Sequence, residues 1–397
     1  MYDLVLKNCN VINENVESQV DIAIKNQRIE KIAASIDSES SEELDLSGKL
    51  VIPGLIDDQV HFREPGLTHK GEIATESKAA LAGGVTSYFE MPNVNPNTST
   101  IENLEKKFEM ASTKSVGNYS FYLGATNDNI EEIKKHVSNG KIGGILWSSP
   151  NNPSWSCLND FELENIAKIC DENEILAIED LAYIGMDFRK DYSIPFSEPF
   201  IPTIGNYGEN WVTLISASKA FSFPGPRCGI AVISPHINEK KYTNLKTFCD
   251  REQFGHAFSL GGLYVTTSGT SHTAQYALAR MLEASTNGEF NFVKITSEYG
   301  KRADKVKEIF LKYGFQQVYK KDMDEPVGNG FYLTMSYPGY DGNDLMLELL
   351  RYGISTITLK STGSTRHEGL RVCISFIELE QMSTLERKLQ IFMENHK

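Results

Sequence analysis

The sequence predicts an α/β protein: a small β layer, then a partial β/α barrel, then a parallel-sheet unit closed by a smaller α+β unit. Three observations support this. Residues 2–48 alternate apolar with polar side chains in period two, most clearly in Val20-Asp21-Ile22-Ala23-Ile24, as half-buried strands do. From Lys49 to Gly144, strand and helix alternate in units of roughly 30 residues, the rhythm of a parallel sheet or barrel. From residue 145 the alternation resumes, and several strands now end on acid, amine or guanidinium side chains.

In the first unit Leu4-Val5-Leu6 leads into Val11-Ile12, and Asn26-Gln27 reads as the turn before Ile29 and Ile32. The Ser-rich acidic stretch 37–43 is a surface loop. Residues 50–56 form an apolar strand interrupted only by Pro53-Gly54, and the polar cluster 57–66 follows it. A helix over 72–81 stops at Gly83-Gly84. Strand 85–90, helix 101–111, strand 119–124 and helix 130–136 come next. Beyond Gly143-Gly144, strand 145–147 runs into Ser148-Ser149-Pro150-Asn151-Asn152-Pro153. Helix 158–171 and strands 175–179, 212–216 and 229–233 follow, then helices over 240–251, 271–284 and 292–313. The remainder alternates strands 331–335, 355–359 and 370–376 with helices 345–352 and 382–394. These changes divide the chain at 1–48, 49–144, 145–290 and 291–397, with no internal repeat or low-complexity tract.

The chain has 397 residues and a net charge of −14, with 40% hydrophobic and 23% charged residues, the balance of an ordinary globular protein. That acidity argues against nucleic acid or an anionic membrane surface as the main partner. No apolar run approaches the ~20 residues of a membrane helix, and the first residues lack a signal pattern. Six scattered cysteines (Cys9, Cys157, Cys170, Cys228, Cys249, Cys373) show no CxxC spacing, which fits reduced thiols and a cytoplasmic location.

Lys219 closes a strand in Ser216-Ala217-Ser218-Lys219, and Arg227 follows in Pro224-Gly225-Pro226-Arg227. A lysine flanked by hydroxyls with an arginine nearby suits an aldehyde-phosphate cofactor. The amine forms the Schiff base while Ser216 and Arg227 meet the phosphate. Asp180, at the carboxyl end of an apolar strand, is placed to keep a pyridine nitrogen protonated. Tyr183 and Asn152 are in position to approach the ring's phenolic oxygen. Arg371, a cation inside the apolar strand Leu370-Arg371-Val372, can clamp a substrate carboxylate.

With these residues in order, the region from about 145 to the end resembles fold-type I pyridoxal-phosphate enzymes of the class I/II aminotransferase family. The matching pieces are Pro150-Asn151-Asn152-Pro153, Asp180-Leu181-Ala182-Tyr183, Ser216 to Gly229 and Gly369 to Ser375. The resemblance implies Lys219 as Schiff-base lysine and proton shuttle, and Asp180 as partner of the pyridinium. It implies Asn152 and Tyr183 at O3′, Ser216 and Arg227 on the phosphate, and Arg371 on the substrate carboxylate. It further implies pyridoxal phosphate, an amino acid and a keto acid as ligands, and a homodimer. One departure is Ser154-Trp155, where the family usually has Thr-Gly or Ser-Gly.

The earlier half carries a different set. Asp57, Gln59, His61 and Arg63 share one face of a strand end, with His61 and Asp57 suited to a metal and Arg63 to a carboxylate. The stretch Ile52-Pro53-Gly54-Leu55-Ile56-Asp57 through Arg63-Glu64-Pro65-Gly66, with Met91-Pro92-Asn93, resembles the dihydroorotase branch of the amidohydrolase superfamily. That resemblance implies an N-terminal β layer before a barrel, Arg63 and Asn93 on a substrate carboxylate, and His61 on zinc. The family's first strand normally carries two histidines, and here Gln59 replaces one.

The two resemblances meet near Gly143-Gly144-Ile145 with no linker between them. The whole therefore reads as a chimera: a truncated pyridoxal-phosphate transferase large domain plus a C-terminal small domain, preceded by a β layer and a partial barrel. The expected function is aminotransferase-type chemistry at Lys219, impaired by the missing first strands of that fold. The alternatives are an incomplete zinc-dependent cyclic amidohydrolase or an inactive chimera.

Overall fold

The computed structural model describes residues 1–13, 16–126, 128–138, 142–246, 251–264 and 269–396. The first layer contains β1 (Leu4–Asn13), β2 (Val16–Lys25), β3 (Arg28–Ala33) and β4 (Glu43–Asp45) in the order β3-β2-β1-β4, with β5 (Leu50–Val51) also on β1. Asn26 and Gln27 both have positive φ, 50° and 63°, the conformation a two-residue hairpin turn needs to match strand twist. Asp21 is polar in the alternation yet buried. It accepts hydrogen bonds from the Asn8 and Ile36 N–H groups, each at 2.9 Å, and pairs with Lys7 at 2.7 Å.

The expected single strand over 50–56 is two strands in different sheets. β5 stays on β1, whereas β6 (Leu55–Val60) opens a parallel sheet of order β6-β7-β8 with β7 (Val85–Glu90) and β8 (Asn118–Phe121). Pro53 has no N–H to give a ladder, so the chain leaves one sheet there and enters the next. Helices α1 (Ile73–Ala82) and α2 (Ile101–Lys114) cover this sheet, burying Val60, Phe62, Ile73, Tyr88, Ala111 and Phe121 together. Thr100 caps α2 by accepting from the Asn103 N–H at 3.1 Å.

The third sheet has the order β12-β11-β10-β9. β9 (Gly144–Ser148), β10 (Leu176–Asp180) and β11 (Trp211–Ser216) are parallel, and β12 (Gly229–Ile233) returns antiparallel. Ser148 pairs with Asp180 and Asp180 with Leu214, so the carboxyl ends of all three parallel strands lie along one rim. Helix α4 (Asp160–Glu172), started by an Asn159–Glu162 capping box, packs Leu163, Ala167 and Cys170 on this sheet. Val137 of α3 (Ile130–Ser138) also packs there, so the helix before the join is part of the core after it.

Of the helix expected over 240–251, residues 245–246 are helical, and its expected start is preceded by the separate short helix α5 (Pro235–Glu239). Ser234 caps and Pro235 starts it earlier, Lys240 is extended, and Lys241 then bridges Gln253. Residues 247–250 lie outside the described residues. Helices α6 (His272–Thr286) and α7 (Phe292–Lys312) lead into the last unit. Its antiparallel sheet has the order β13-β16-β18-β17, from Gln316–Gln317, Tyr332–Ser336, Leu370–Cys373 and Ile357–Thr358 respectively; the short hairpin β14 (Lys321–Asp322) and β15 (Glu325–Pro326) lies apart. Helices α8 (Gly342–Arg351) and α9 (Met382–Asn395) close over it around Phe310, Met335, Leu345, Leu349, Leu370, Leu389 and Phe392. The loop after β7 docks on this unit: the Asn97 amide donates to the Gly363 carbonyl. Among the described residues no helix is long and apolar enough to cross a membrane, and the five described cysteines are free thiols.

Leu389 is fully buried in this last core. Leu389→Ala is expected to lower unfolding stability by about 2–5 kcal/mol, measured by urea denaturation followed by circular dichroism.

Candidate functional site

Parallel strands place polar side chains at their carboxyl ends because the loops that leave there face one rim. Asp180 ends β10 on that rim, and its Oδ1 accepts from the Ala182 N–H at 3.0 Å. Burial pushes its carboxyl above the usual carboxylate range, and the Ala182 bond partly opposes this. Ser216 ends β11, its Oγ accepting from the Ser218 N–H at 3.2 Å. Lys219 follows in the turn, half-buried, with its Nζ 5.8 Å from the Phe331 ring centroid. Among the described residues that amine has no hydrogen bond or ion pair.

Tyr183 is buried with its ring 4.9 Å from Trp155, 6.0 Å from Phe331 and 6.3 Å from Tyr332. Burial raises its phenol's pKa, the neighbouring Tyr332 raises it further, and the Arg371 charge opposes the shift. Arg371 lies on β18 with its guanidinium 4.4 Å above the Tyr332 ring. Its Nη1 donates to Asn152 Oδ1 at 3.2 Å, while its Nε is buried without an acceptor. Lys219, Asp180, Tyr183, Asn152 and Arg371 thus gather around one aromatic cluster. Arg227 does not join them. It is exposed at φ 55°, and its Nη1 donates to the Pro224 carbonyl at 3.0 Å, so the guanidinium is folded onto its own loop.

Trp155 explains the departure noted in the sequence. Its backbone has φ 62°, the left-handed conformation that glycine takes without strain. For an indole this costs about 1–2 kcal/mol. Burying an aromatic of roughly 150–250 Å² returns about 4–6 kcal/mol, so the packing wins. The ring is wholly buried and donates its Nε1–H to the Met186 carbonyl at 3.0 Å. A Cβ on Gly330 would fall 1.9 Å from the indole, so this notch exists only because residue 330 is glycine. The reading of the sequence missed Trp155, Phe331 and Tyr332 as members of the site. The signal was the glycine-rich run Gly328-Asn329-Gly330 immediately before two aromatics.

The second set of residues gathers at the ends of β6 and β7. His61 Nδ1 is 3.0 Å from Asn93 Oδ1, and Arg63 Nη1 reaches the Asn93 carbonyl at 3.5 Å. Burial lowers the His61 pKa, and the Arg63 charge adds to that. Arg63, at φ 69°, is held by donating its N–H to Glu90 Oε1 at 2.8 Å. Glu90 is itself fully buried against Lys107 at 3.1 Å, and burial drives each of the pair toward its neutral form while their attraction opposes it. Gln59 is exposed, and among the described residues no group of three or more His, Cys, Asp or Glu could hold a metal. A lone imidazole bonded to an amide is not a zinc donor set. Asn93 is also packed from the last unit: a Cβ on Gly363 would come within 2.7 Å of its Cβ.

Comparison with known proteins divides in the same way. The aminotransferase class I and II family matches residues 79–389, beginning well before the expected join at 145. The match therefore includes α3, the helix that packs on β9–β11. Curated relatives of amidohydrolase type match in the N-terminal part. An allantoinase of Desulfitobacterium hafniense (strain Y51) is 32% identical over 186 residues, covering 47% of this chain and 39% of that protein. A dihydroorotase of Fusobacterium nucleatum is 39% identical over 113 residues, covering 28% of this chain and 27% of that protein. The chain thus spans about two fifths or less of the length of these relatives. Among solved structures, an aromatic aminotransferase of Pyrococcus horikoshii OT3 aligns at TM-score 0.51 and 16% identity, over 78% of this chain and 74% of that one. An aminotransferase of Mycobacterium tuberculosis aligns at TM-score 0.51 and 14% identity, over 73% and 67%. At those identities the likeness is one of fold.

The raised Asp180 pKa carries a sign. A carboxyl lifted on folding costs no stability below its ordinary value of 3.8, and costs progressively more as pH rises through the lifted value. Asp180→Asn is therefore expected to stabilise the protein without added cofactor at pH 7, with the difference from wild type vanishing below about pH 4. Thermal unfolding across that range measures it.

Proposed function

The chain belongs to the aminotransferase class I and II family, and from that premise we propose a pyridoxal-phosphate-dependent, aminotransferase-type enzyme that acts on an amino acid through Lys219. The observation that carries this reading is the 3.2 Å contact between Arg371 and Asn152, which are 219 residues apart in the chain. Two positions matched to the family by sequence meet in space, beside Tyr183 and on the same aromatic cluster as Lys219.

The residues present fit the cofactor in charge and donor type, and the buried Arg371 Nε without an acceptor marks a site that awaits an anion. Pyridoxal phosphate, when bound, supplies an electron-withdrawing ring that makes the substrate's Cα proton labile. Lys219 would hold its aldehyde carbon and, once released, move the proton at Cα as general base and acid. Asp180 would hold the proton on the ring nitrogen, a role favoured by its ionised form beside that cation. Tyr183 and Asn152 would orient the phenolic oxygen. Ser216 and Arg227 would take the phosphate, which requires Arg227 to leave the Pro224 carbonyl. Arg371 would grip the substrate carboxylate with two parallel N–H bonds. The ligands on this reading are an amino acid and a keto acid, in the cytoplasm, on a homodimer; the first strands of the cofactor domain are replaced by the amidohydrolase-like part, which limits the rate.

Incubation with pyridoxal phosphate, borohydride reduction and peptide mapping test it. One stoichiometric adduct at Lys219 is expected, abolished in Lys219→Ala. Adducts spread over surface lysines would overturn the reading, as would zinc retained through dialysis together with hydrolysis of a cyclic ureide.

A further inference from the structure

We infer that Trp155 is a positioning residue for the substrate-carboxylate clamp, acting on Arg371 through the ring of Tyr332. The inference rests on the aminotransferase reading of Arg371. Its geometry is a closed circuit of contacts. The Trp155 N–H donates to the Asn151 carbonyl at 2.8 Å, and the Asn151 N–H donates to the Ser156 carbonyl at 2.9 Å, which shapes the tight turn that presents Asn152. The Trp155 carbonyl accepts from the Gly328 N–H at 3.0 Å, tying that turn to the strand that enters β16. The indole fills the notch over Gly330 and lies 6.0 Å, edge to face, from Tyr332. The Tyr332 ring supports the Arg371 guanidinium at 4.4 Å, and Arg371 closes the circuit on Asn152.

Each link has a physical consequence. A guanidinium on a flexible chain loses rotamer freedom when it binds, which weakens binding unless the group is held beforehand. Stacking over Tyr332 and bonding to Asn152 hold it beforehand, with Nε left for an incoming oxygen. Tyr332 stands between Trp155, at 6.0 Å, and Tyr183, at 6.3 Å, both edge to face. The indole is one wall of its ring's place, and the indole is in turn set by the two glycines whose missing side chains make its space. Glycine at 155 would relieve the left-handed backbone but leave that space empty, and the 328–332 segment would keep its backbone bond to residue 155 while losing the side-chain packing against Tyr332.

The test uses the full chain loaded with pyridoxal phosphate and the monocarboxylate 3-phenylpropionate as probe, its dissociation constant read by calorimetry. Trp155→Gly and Tyr332→Leu are each expected to weaken probe binding about threefold to thirtyfold, the range a partly desolvated cation–π contact supports. Tyr332→Phe keeps the ring and is expected to bind within about twofold of wild type. A stoichiometric reducible adduct at Lys219 is expected to form in all three, which a general loss of structure would not leave intact. Unchanged affinity in Tyr332→Leu overturns the inference, and this variant decides alone where Trp155→Gly does not fold. A wild-type chain with no reducible adduct at Lys219 instead overturns the underlying aminotransferase reading, and the inference with it.

Discussion

The insertion of Trp155 between two glycine backbones is the contact on which the site depends. The indole joins a turn leaving the parallel sheet to the segment that leads into β16 of the C-terminal sheet, and it does so from a backbone conformation that disfavours a large side chain. The strain is small beside the area buried, so the conformation persists. One side of the cluster is built on that ring. Tyr183 packs on it directly, Tyr332 leans on its edge, and Arg371 rests on Tyr332.

The N-terminal half is organised by a different constraint. A carboxylate and an ammonium buried together at 3.1 Å hold the end of β7 and, through the Arg63 N–H, the left-handed turn after β6. Removing both charges from water is costly, and the pair is worth keeping only where it also orders backbone. What it orders is the turn that sets Arg63 beside Asn93. The two halves are nonetheless joined structurally. Val137 packs on the core of β9–β11, and Asn97 bonds the Gly363 turn.

Much of this was legible in the sequence because local rules govern it. The alternation of Val20 to Ile24, the Asn26-Gln27 turn, the boundaries of β7 and β12 and the strand-end positions of Asp180 and Ser216 follow from periodicity and turn chemistry. Both family resemblances were legible too, since each is carried by short runs of residues. The helix start expected at 240 was displaced because Ser234-Pro235 supplies an earlier start for α5, which ends on an extended Lys240. Leu50 to Ile56 was divided because Pro53 ends one ladder, and neither half of that strand reveals which sheet it will join.

By itself, then, the sequence determined the class of fold, the order of its elements and which residues carry amine, carboxylate and guanidinium chemistry at strand ends. Tertiary structure alone decided which of them meet. Arg371 reaches Asn152 while Arg227 turns away to its own loop. The physical reason is that a side chain's direction is set by what packs behind it. For Arg371 that is Tyr332, and behind Tyr332 is an indole whose space is opened by a glycine 175 residues further along the chain.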